Sequence, residues 1–562
     1  MGQSDQFSGR MGLIFAAIGA AIGTGNIWRF PRMVGANDGG TFLIPWLFFL
    51  FAWSIPLVIA EFALGKRSRT GTVGTFRIFA GKNFAWMGLW TAWISTAIGF
   101  YYAVVAGWCL KYFQLGVSNG LMGDVDTQQV WNEFLQSPLN VVFFQFLVVA
   151  ITLLAIWKGA KAIEKVNVVL MISLFVLLFM SLGLSLWMDA SDGSLDGFLF
   201  MFTVEWSQLS EPSIWINGLS QSAWSCSAGM GMAITYSVYM RKDEDTTLNA
   251  FTMGLANNSI SIIAGLTVLS AIFAVADNPL DKVTEGSSAI TFLALPEVFA
   301  QAPGGAIGAW VMMTGFFLAL SFAALTSMIS TVELCVRNFV DHGYERQTSV
   351  LFTSIAIFIF GLPSALLWIT IADDGTAFPQ FLEVQDHIWG YGLMFSGLFI
   401  AFTIWKYGYH KWRAQVEAGE AAPGLSGYLG VGVSAFRDDF INTGDNDIWI
   451  GRWWDILMYL AFPFLFSVLI ISYFGDMIMY TDNVWDPTNP KGITIILGFW
   501  GIVAAGFIAF NSKLAARPLF RNVPDGAEVD ISMLPGGNDE LVVLAGEVAP
   551  GFEHLSKDYP EL

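Results

Sequence analysis

The chain has 562 residues, of which 55% are hydrophobic and 13% charged, and its mean hydropathy is +0.58. A soluble globular protein carries about 25% charged residues, so this composition excludes a soluble globule and indicates a protein embedded in a lipid bilayer. The formal net charge of −18 argues against nucleic acid as a partner.

Long apolar runs recur along the chain, and none alternates with the period of two that a lipid-facing β-strand requires. Only helices and closed barrels satisfy every backbone polar group in hydrocarbon, and a spanning helix needs about 20 residues, so these runs predict transmembrane helices. The predicted spans are residues 11–35, 41–65, 87–117, 139–157, 166–188, 213–240, 246–276, 307–340, 348–371, 377–405, 449–475 and 492–512. We therefore predict an all-α membrane protein with twelve transmembrane helices.

These spans divide the chain into segments. The segments are an N-terminal stretch at 1–10, ten helices at 11–405, a loop at 406–448, two helices at 449–512 and an acidic tail at 513–562. Lys and Arg concentrate in the segments that share a side with the N-terminus, and such residues are retained on the cytoplasmic side. We therefore expect both termini and the long loop in the cytoplasm.

Two further features favour a prokaryotic inner membrane. No cleavable signal precedes the first span, because residues 1–10 are polar and the following apolar run lacks a small-residue cleavage site. Cys109, Cys226 and Cys335 all fall within predicted helices, so the external loops offer no disulfide pair.

The first and sixth spans are interrupted by small residues at mid-membrane depth. The first contains Gly19, Gly23 and Gly25, and the sixth contains Gly229 and Gly231. Each glycine weakens a helix by about 1 kcal/mol relative to alanine, and carbonyls and amides freed in a cavity can hold a cation and an anionic group. The interruptions lie five spans apart, as two inverted five-helix repeats would place them. The alternative is close helix packing, for which small residues are common in membranes.

The run GAAIGTGNIWRFP at 19–31, followed by NDGGTFLIP at 37–45, resembles the signature of the neurotransmitter:sodium symporter family. Agreement continues through Ile55-Pro56, Glu61, Tyr101-Tyr102, ITYSVYMRK at 234–242 and LTS at 325–327. The resemblance covers residues 5 to about 510. It implies the leucine-transporter fold, with a five-plus-five inverted repeat, unwound helices 1 and 6, sodium-driven symport and alternating access.

The resemblance also implies two sodium sites built from uncharged oxygens, which suit a hard cation. The first would comprise the substrate carboxylate and Ala21, Asn26, Ser225 and Asn257. The second would comprise the carbonyls of Gly19, Ile22 and Ala323 and the hydroxyls of Thr326 and Ser327. Without the motif, the hydroxyls of Thr326 and Ser327 would be expected to bond to their own helix.

For the solute, the resemblance implies a carboxylate held by the amides of Thr24 and Gly25 and by the Tyr102 hydroxyl. The side-chain space would be lined by Ala20, Ile98, Trp224, Ser227, Met230, Met328 and Thr331. Relatives that carry monoamines have an Asp at the position of Gly23, so Gly23 favours a zwitterionic solute with its own carboxylate. The methionines suggest an adaptable apolar pocket, and hence a neutral hydrophobic amino acid.

Gates follow from the same resemblance. Arg29 and Asp386 are expected to bridge above the solute, with Trp224 as an aromatic lid, although Arg29 could instead extend to the membrane interface. Tyr239 and Asp341 are expected at the inner gate. The Arg that bacterial relatives pair with Asp341 aligns with Ser4, so we do not expect that salt bridge. Glu61 is expected to accept hydrogen bonds from unwound backbone.

Chloride is a further expected ion. Chloride-independent bacterial relatives carry a carboxylate at the position of Ser261, and a serine cannot supply that charge. In chloride-dependent relatives a Ser there joins two span-6 residues and a Tyr, and the aligned residues in this chain are Gln221, Ser225 and Trp46. The alternative is that Ser261 is a packed small residue.

Functions of other classes find less support. The four histidines lie outside the span cores, and no nucleotide-binding loop, metalloprotease motif or nucleophile elbow occurs, so we predict that the chain is not an enzyme. A sodium symporter of taurine or a betaine, and a membrane solute sensor that does not transport, remain alternatives. The oligomeric state does not follow from the sequence.

Overall fold

The structure is a computed structural model that describes residues 7–123, 125–241, 244–284, 290–371, 375–443 and 447–515. Residues 1–6 with Ser4, most of the acidic tail, and the acidic loop residues Asp124, Asp373 and Asp374 lie outside this set. Lys242, the last residue of the ITYSVYMRK run, also lies outside it.

The described part is almost entirely helical. Its first helices are α1 (Arg10–Ala21), α2 (Gly25–Gly35), α3 (Gly40–Ser68), α4 (Thr72–Ala80), α5 (Lys82–Val117), α6 (Thr127–Leu135), α7 (Pro138–Ile156), α8 (Ala160–Asp189), α9 (Asp196–Phe202), α10 (Pro212–Ser225) and α11 (Met232–Ser237). The later helices are α12 (Thr246–Val275), α13 (Pro279–Thr284), α14 (Ile290–Phe299), α15 (Gly305–Asp341), α16 (Arg346–Leu366), α17 (Gln380–Glu417), α18 (425–441), α19 (Arg452–Tyr480) and α20 (Ile493–Ala515). Strands β1 (Ile369–Ile371) and β2 (Ala377–Pro379) form one antiparallel pair.

Ten of the described helices are long and apolar enough to cross a membrane. Helices α1 and α2 make an eleventh span if they are counted together, with a bend of 53° between them. The predicted sixth span consists of two shorter helices, α10 and α11. The helices therefore agree with the predicted spans, and the total of twelve stays a prediction.

The predicted spans at 348–371 and 377–405 meet at a hairpin that the sequence did not predict. Helix α16 ends at Leu366, because Leu367 is extended and Trp368 has a φ of +54°. The hairpin pairs Ile369 with Pro379, and the indole N–H of Trp131 donates to the carbonyl of Ala377 at 2.8 Å. Strand pairing satisfies backbone groups that the end of the helix leaves free.

The predicted loop at 406–448 is largely helical. Helix α17 continues to Glu417, and α18 packs against it. The Tyr407 hydroxyl donates to the Asp439 carboxylate at 2.5 Å, and the Lys411 ammonium lies 3.1 Å from the same carboxylate. Several buried residues of α18 follow helical spacing, among them Gly432, Ala435, Phe436 and Phe440.

Long helices surround the two interrupted spans. Helix α15 packs along both α5 and α8, and α12 packs on α8. Glu61 of α3 is fully buried and accepts a hydrogen bond from the Gly229 amide at 2.6 Å, between α10 and α11. This packing holds the ends of the broken helices in the middle of the molecule.

Candidate ion and solute binding site

Both interrupted spans lose helical pairing near their midpoint. Helix α1 ends at Ala21, Ile22 is extended, and helical structure resumes at Gly25. Between α10 and α11, Ser227, Gly229 and Gly231 have φ values of +51°, +92° and +79°. Glycine adopts this left-handed region without strain, which explains the residue type at two of these three positions.

A cavity of about 380 Å³ lies between the two breaks. Nine of the ten predicted substrate residues line it, namely Ala20, Thr24, Gly25, Ile98, Tyr102, Trp224, Ser227, Met230 and Thr331. Met328 is the exception, because it is fully buried and does not line the cavity. Ser327 and Thr331 are one helical turn apart and face the cavity, whereas the next position, 328, points about 100° away.

Oxygens of α1, α10 and α12 converge at the predicted first sodium site. The side-chain oxygen of Asn257 lies 3.2 Å from the carbonyl oxygen of Ala21 and 3.0 Å from that of Ser225. Oxygens that share a cation at about 2.4 Å lie roughly this far apart, so the group fits a cation. The reversed amide would direct its NH₂ group at both carbonyls instead.

Asn26 forms hydrogen bonds with residues of the predicted first sodium site. Its side-chain oxygen accepts from the Gly23 amide at 3.0 Å, and its amide nitrogen donates to Asn257 and to Ser261, both at 2.8 Å. The Ser225 hydroxyl is a further partner of this nitrogen, at 3.3 Å. Asn26 thus connects the break between α1 and α2 with α10 and α12.

The residues of the predicted second sodium site also lie together. The Asn26 amide donates to Gly23 rather than to Ile22, which frees the Ile22 carbonyl from helical pairing. That carbonyl lies 3.0 Å from the Ser327 hydroxyl and 3.4 Å from the Thr326 hydroxyl, and the latter is also 3.0 Å from the Ala323 carbonyl.

Gly19 packs against this second group. A Cβ at Gly19 would lie 3.3 Å from Cβ of Thr326, so a side chain there would press on the Thr326 hydroxyl-bearing carbon. The Ile22 and Ala323 carbonyls and the Thr326 and Ser327 hydroxyls form a set of uncharged oxygens that suits a monovalent cation.

The predicted carboxylate corner is polar and crowded. The Thr24 amide donates to the Tyr102 hydroxyl at 3.1 Å, and the Ser227 hydroxyl donates to the Ala20 carbonyl at 3.2 Å. A Cβ at Gly23 would lie 2.8 Å from the Ser327 hydroxyl oxygen and 3.0 Å from that of Tyr102. No side chain fits at Gly23 without displacing one of these hydroxyls.

The predicted chloride residues are buried, and some lack partners. Both amide atoms of Gln221 and the indole N–H of Trp46 have no hydrogen-bond partner among the described residues. Ser225 and Ser261 both accept from Asn26. Buried donors without partners are destabilising, so this pocket has unmet hydrogen-bonding capacity.

The predicted outer-gate salt bridge is not formed. Arg29 and Asp386 both line the cavity, yet no ion pair within 4.0 Å joins them. Arg29 donates to the Ser220 hydroxyl at 3.2 Å instead, and Asp386 accepts from the Tyr101 hydroxyl at 2.6 Å. Each of the two charged groups therefore has a hydrogen-bond partner other than the opposite gate residue. Trp224 lies against Gly390, at the side of the cavity.

At the predicted inner gate, Asp341 has an arginine partner that the sequence analysis missed. Arg337, one turn earlier in α15, lies 2.6 Å from the Asp341 carboxylate, and the Gly71 amide donates to that carboxylate at 2.5 Å. The Arg337 guanidinium also lies over the Tyr239 ring, 5.4 Å from its centroid. The Tyr239 hydroxyl donates to Glu333 at 2.5 Å. The four-residue spacing of Arg337 and Asp341 is the signal that could have found this pair.

Comparison with protein families decides the wider assignment. The model of the family described as "Sodium:neurotransmitter symporter family" matches residues 4–137 and 132–423, which is more than half of the chain. The chain belongs to the sodium:neurotransmitter symporter family. It is therefore a sodium-dependent symporter, as the sequence resemblance predicted.

Individual members of this family agree with that assignment. The sodium-dependent transporter YhdH of Bacillus subtilis is 31% identical over 414 residues, which cover 71% of this chain and 88% of that protein. The sodium-dependent transporter MJ1319 of Methanocaldococcus jannaschii is 30% identical over 435 residues, which cover 74% and 84%.

A solved structure extends the comparison to the fold. The crystal structure of MhsT in complex with L-phenylalanine matches with a TM-score of 0.67 and 28% identity, over 84% of this chain and 99% of that one. The all-α leucine-transporter fold predicted for this symporter is thereby confirmed, and the protein is a multi-pass membrane transporter.

The cavity has lining residues that the sequence analysis did not name. Trp28, Val105 and Trp108 line its apolar part, and Arg32 and Glu383 line its charged part beside Arg29 and Asp386. For three of these residues, helical spacing from a named site residue could have predicted that they line the cavity. Arg32 follows Arg29 by three residues, Val105 follows Tyr102 by three, and Trp108 follows Tyr101 by seven, and such positions share a helix face.

Proposed function

We propose that this symporter carries a neutral, hydrophobic amino acid into the cytoplasm with sodium, by alternating access. The observation that carries the proposal is the cavity of about 380 Å³ between the two helix breaks. One corner presents the Tyr102 hydroxyl and Thr24, and the rest is walled by Ile98, Val105 and Trp224. A polar corner beside apolar walls suits a solute with a charged head and an apolar side chain.

The oxygen groups at the two breaks support sodium as the co-transported ion at those positions. In the first group, the oxygens of Ala21, Ser225 and Asn257 lie next to the cavity, so a sodium ion there would attract the solute carboxylate. Ion and solute then bind more tightly together than separately, and a sodium gradient drives solute uptake. In the second group, a sodium ion would take the place of the two hydrogen bonds from Thr326 and Ser327 to the Ile22 carbonyl. The two hydroxyl oxygens would then face the ion, with their hydrogens turned away.

The polar corner supports a solute that brings its own carboxylate. Gly23 leaves no room for a protein carboxylate, because any side chain would displace Tyr102 or Ser327. A solute carboxylate therefore supplies the negative charge beside the first sodium ion. The L-phenylalanine held by MhsT is a solute of this kind, and it makes L-phenylalanine the first probe.

Uptake into proteoliposomes tests the proposal. With sodium outside and potassium inside, we expect accumulation of at least one neutral amino acid from a panel that starts with L-phenylalanine, and no accumulation when potassium replaces sodium outside. Binding without uptake would favour a non-transporting sensor, and competition by taurine or betaine but by no α-amino acid would favour an osmolyte symporter. Either result would overturn the proposed function.

We further propose that chloride assists transport at the pocket of Trp46, Gln221, Ser225 and Ser261. The partnerless donors of Trp46 and Gln221 support an anion there, since an anion would accept from both. An anion would also offset the charge of the sodium ion that Asn257 faces. Sodium-driven uptake should fall several-fold when gluconate replaces chloride, and unchanged uptake would reject this part of the proposal.

Orientation and segment division are proposals of the same kind. The positive residues support cytoplasmic termini in a prokaryotic inner membrane, with the transport core at 11–405. A cysteine introduced at the exposed residue Leu425 of α18 should react with a membrane-impermeant thiol reagent only after the membrane is opened. Labelling in intact cells would reverse the topology.

A further inference from the structure

Four charged residues face the outer part of the cavity, and their signs are segregated. Arg29 and Arg32 lie on α2, and Glu383 and Asp386 lie on α17. Two cations on one wall therefore oppose two carboxylates on the other. The outer-gate expectation uses only Arg29 and Asp386, which leaves Arg32 and Glu383 without an assigned role.

The two unassigned residues are bound very differently in this structure. Glu383 forms an ion pair with Lys491, with 2.5 Å between the ammonium and the carboxylate, and Lys491 also donates to Gln380 at 2.8 Å. Arg32 has no hydrogen-bond or ion-pair partner in the described part of the chain, and its Nε is buried and unpaired. A partly buried guanidinium without a partner is energetically unfavourable. An ion pair between Arg32 and a carboxylate would therefore be favourable.

Helix geometry places these two residues one turn outside the gate pair. Arg32 follows Arg29 by three residues, so both lie on the same face of α2, with a rise of about 4.5 Å between them. Glu383 precedes Asp386 by three residues on α17. Under the predicted topology α2 runs outward and α17 runs inward, so both residues lie farther out than their gate neighbours. A movement that brings Arg29 to Asp386 therefore brings Arg32 towards Glu383.

We infer that Arg32 and Glu383 form a second ionic pair of the outer gate, and that Lys491 holds Glu383 while the gate is open. Closure is then an exchange in which Glu383 leaves Lys491 and joins Arg32. Because Glu383 has a cationic partner in both states, the movement leaves no carboxylate unpaired. This inference rests on the proposed alternating access.

Cysteine cross-linking tests the exchange directly. The double variant R32C/E383C reports the closed gate, and E383C/K491C reports the open gate. Each is oxidised with copper phenanthroline in sodium-free potassium medium, in sodium medium, and in sodium medium with L-phenylalanine. A symporter must close its outer gate to return empty, and sodium alone should leave it open to solute, so the sodium-free medium tests closure without any solute.

We expect the R32C/E383C yield to be at least about threefold higher without sodium than with sodium alone, and the E383C/K491C yield to change in the opposite direction. The wild type is the background control, since Cys109 and Cys226 are buried and Cys335 is partly so. A low R32C/E383C yield in all three media, with normal E383C/K491C cross-linking, would overturn the second pair.

Charge reversal provides an independent measurement. R32E and E383R should each reduce sodium-driven uptake of the panel solute about tenfold, and R32E/E383R should recover at least about threefold over the worse single variant. K111Q is the matched control, because Lys111 lies at the outer end of α5 and bonds to Gln114 rather than to the cavity. A double variant no better than the worse single one would contradict the pair. Absence of uptake by the wild type would instead defeat the proposed function, and the cross-links would still report the pair.

Discussion

Gly23 shows how a single missing side chain shapes the site. It lies where the carboxylate corner meets the second oxygen group, with the hydroxyls of Tyr102 and Ser327 on either side. A Cβ at this position would be closer to both oxygens than van der Waals contact allows. One residue thus governs the space for the solute head and the placement of an oxygen offered to sodium.

We expect Gly23→Ala to weaken sodium binding more than folding. The added methyl group would push the Ser327 hydroxyl away from the Ile22 carbonyl, 3.0 Å distant in the native chain. The sodium concentration for half-maximal uptake should rise about tenfold, which corresponds to about 1.4 kcal/mol. Gly183→Ala is the control, because nothing lies within 4 Å of a Cβ there. Equal effects of the two substitutions would contradict the role of Gly23.

Ser261 offers a test of charge compensation. Its hydroxyl accepts from Asn26 at 2.8 Å, so a carboxylate at this position would lie close to the first oxygen group. We expect Ser261→Glu to make sodium-driven uptake independent of chloride, measured as the ratio of rates in chloride and gluconate. Ser259→Ala, at an exposed position of the same helix, should retain the chloride ratio of the wild type. An unchanged ratio in Ser261→Glu would argue against an anion in this pocket.

At the scale of elements, the start of α1 is held by its neighbours rather than by its own cap. No side chain of the segment caps the helix, but Glu164 of α8 accepts from the Ser8 amide at 2.8 Å and from the Ser8 hydroxyl. Phe7 packs on the rings of Tyr236 and Tyr239, with centroids 6.0 and 5.8 Å away. A carboxylate at a helix N-terminus is stabilised by the helix dipole.

Because Glu164 is the hydrogen-bond partner of Ser8, Glu164→Gln should loosen the contact between the start of α1 and α8. Loss of the charged cap is worth about 1 kcal/mol, and amide hydrogen exchange in the first turns of α1 should accelerate about fivefold. Lys165→Gln, at the next residue on the exposed side of α8, should leave the exchange unchanged. Exchange that does not respond to Glu164→Gln would show that Phe7 packing alone holds α1.

The positions of helices and breaks could be predicted from the sequence where local composition determines them. They were harder to predict where tertiary contacts determine them. The breaks at Gly23 and Gly229 follow from local backbone preference, and the long apolar helices follow from the need to span hydrocarbon. Helix α18 was not predicted because its sequence is rich in glycine, which disfavours a helix. The β1–β2 hairpin was not predicted because it depends on contacts from Trp131. Met328 was misplaced because a motif gives residue identity, whereas the face of α15 decides which side chains reach the cavity.

At the scale of the whole molecule, the two predicted gates differ in their ion pairs. Asp341 is paired with Arg337, and Glu333 with Arg346 at 2.5 Å, near one end of the bundle. At the predicted outer gate, Arg29 and Asp386 have no ion pair between them, and Arg32 and Glu383 also line the cavity there. Under the proposed orientation, this is the arrangement of a carrier that is open to solute from outside.

A carrier with two such oxygen groups should be stabilised by sodium before any solute binds. Because an ion that binds only the folded state adds about 2.7 kcal/mol at 100 times its dissociation constant, the melting temperature should rise in sodium relative to potassium at equal ionic strength. Ser327→Ala removes one oxygen next to Ile22 and should lose part of this rise. Ser259→Ala removes an exposed hydroxyl that bonds to its own helix and should keep all of it. If sodium and potassium stabilise the wild type equally, the oxygen groups do not select sodium, and the coupling of ion to solute would need another origin.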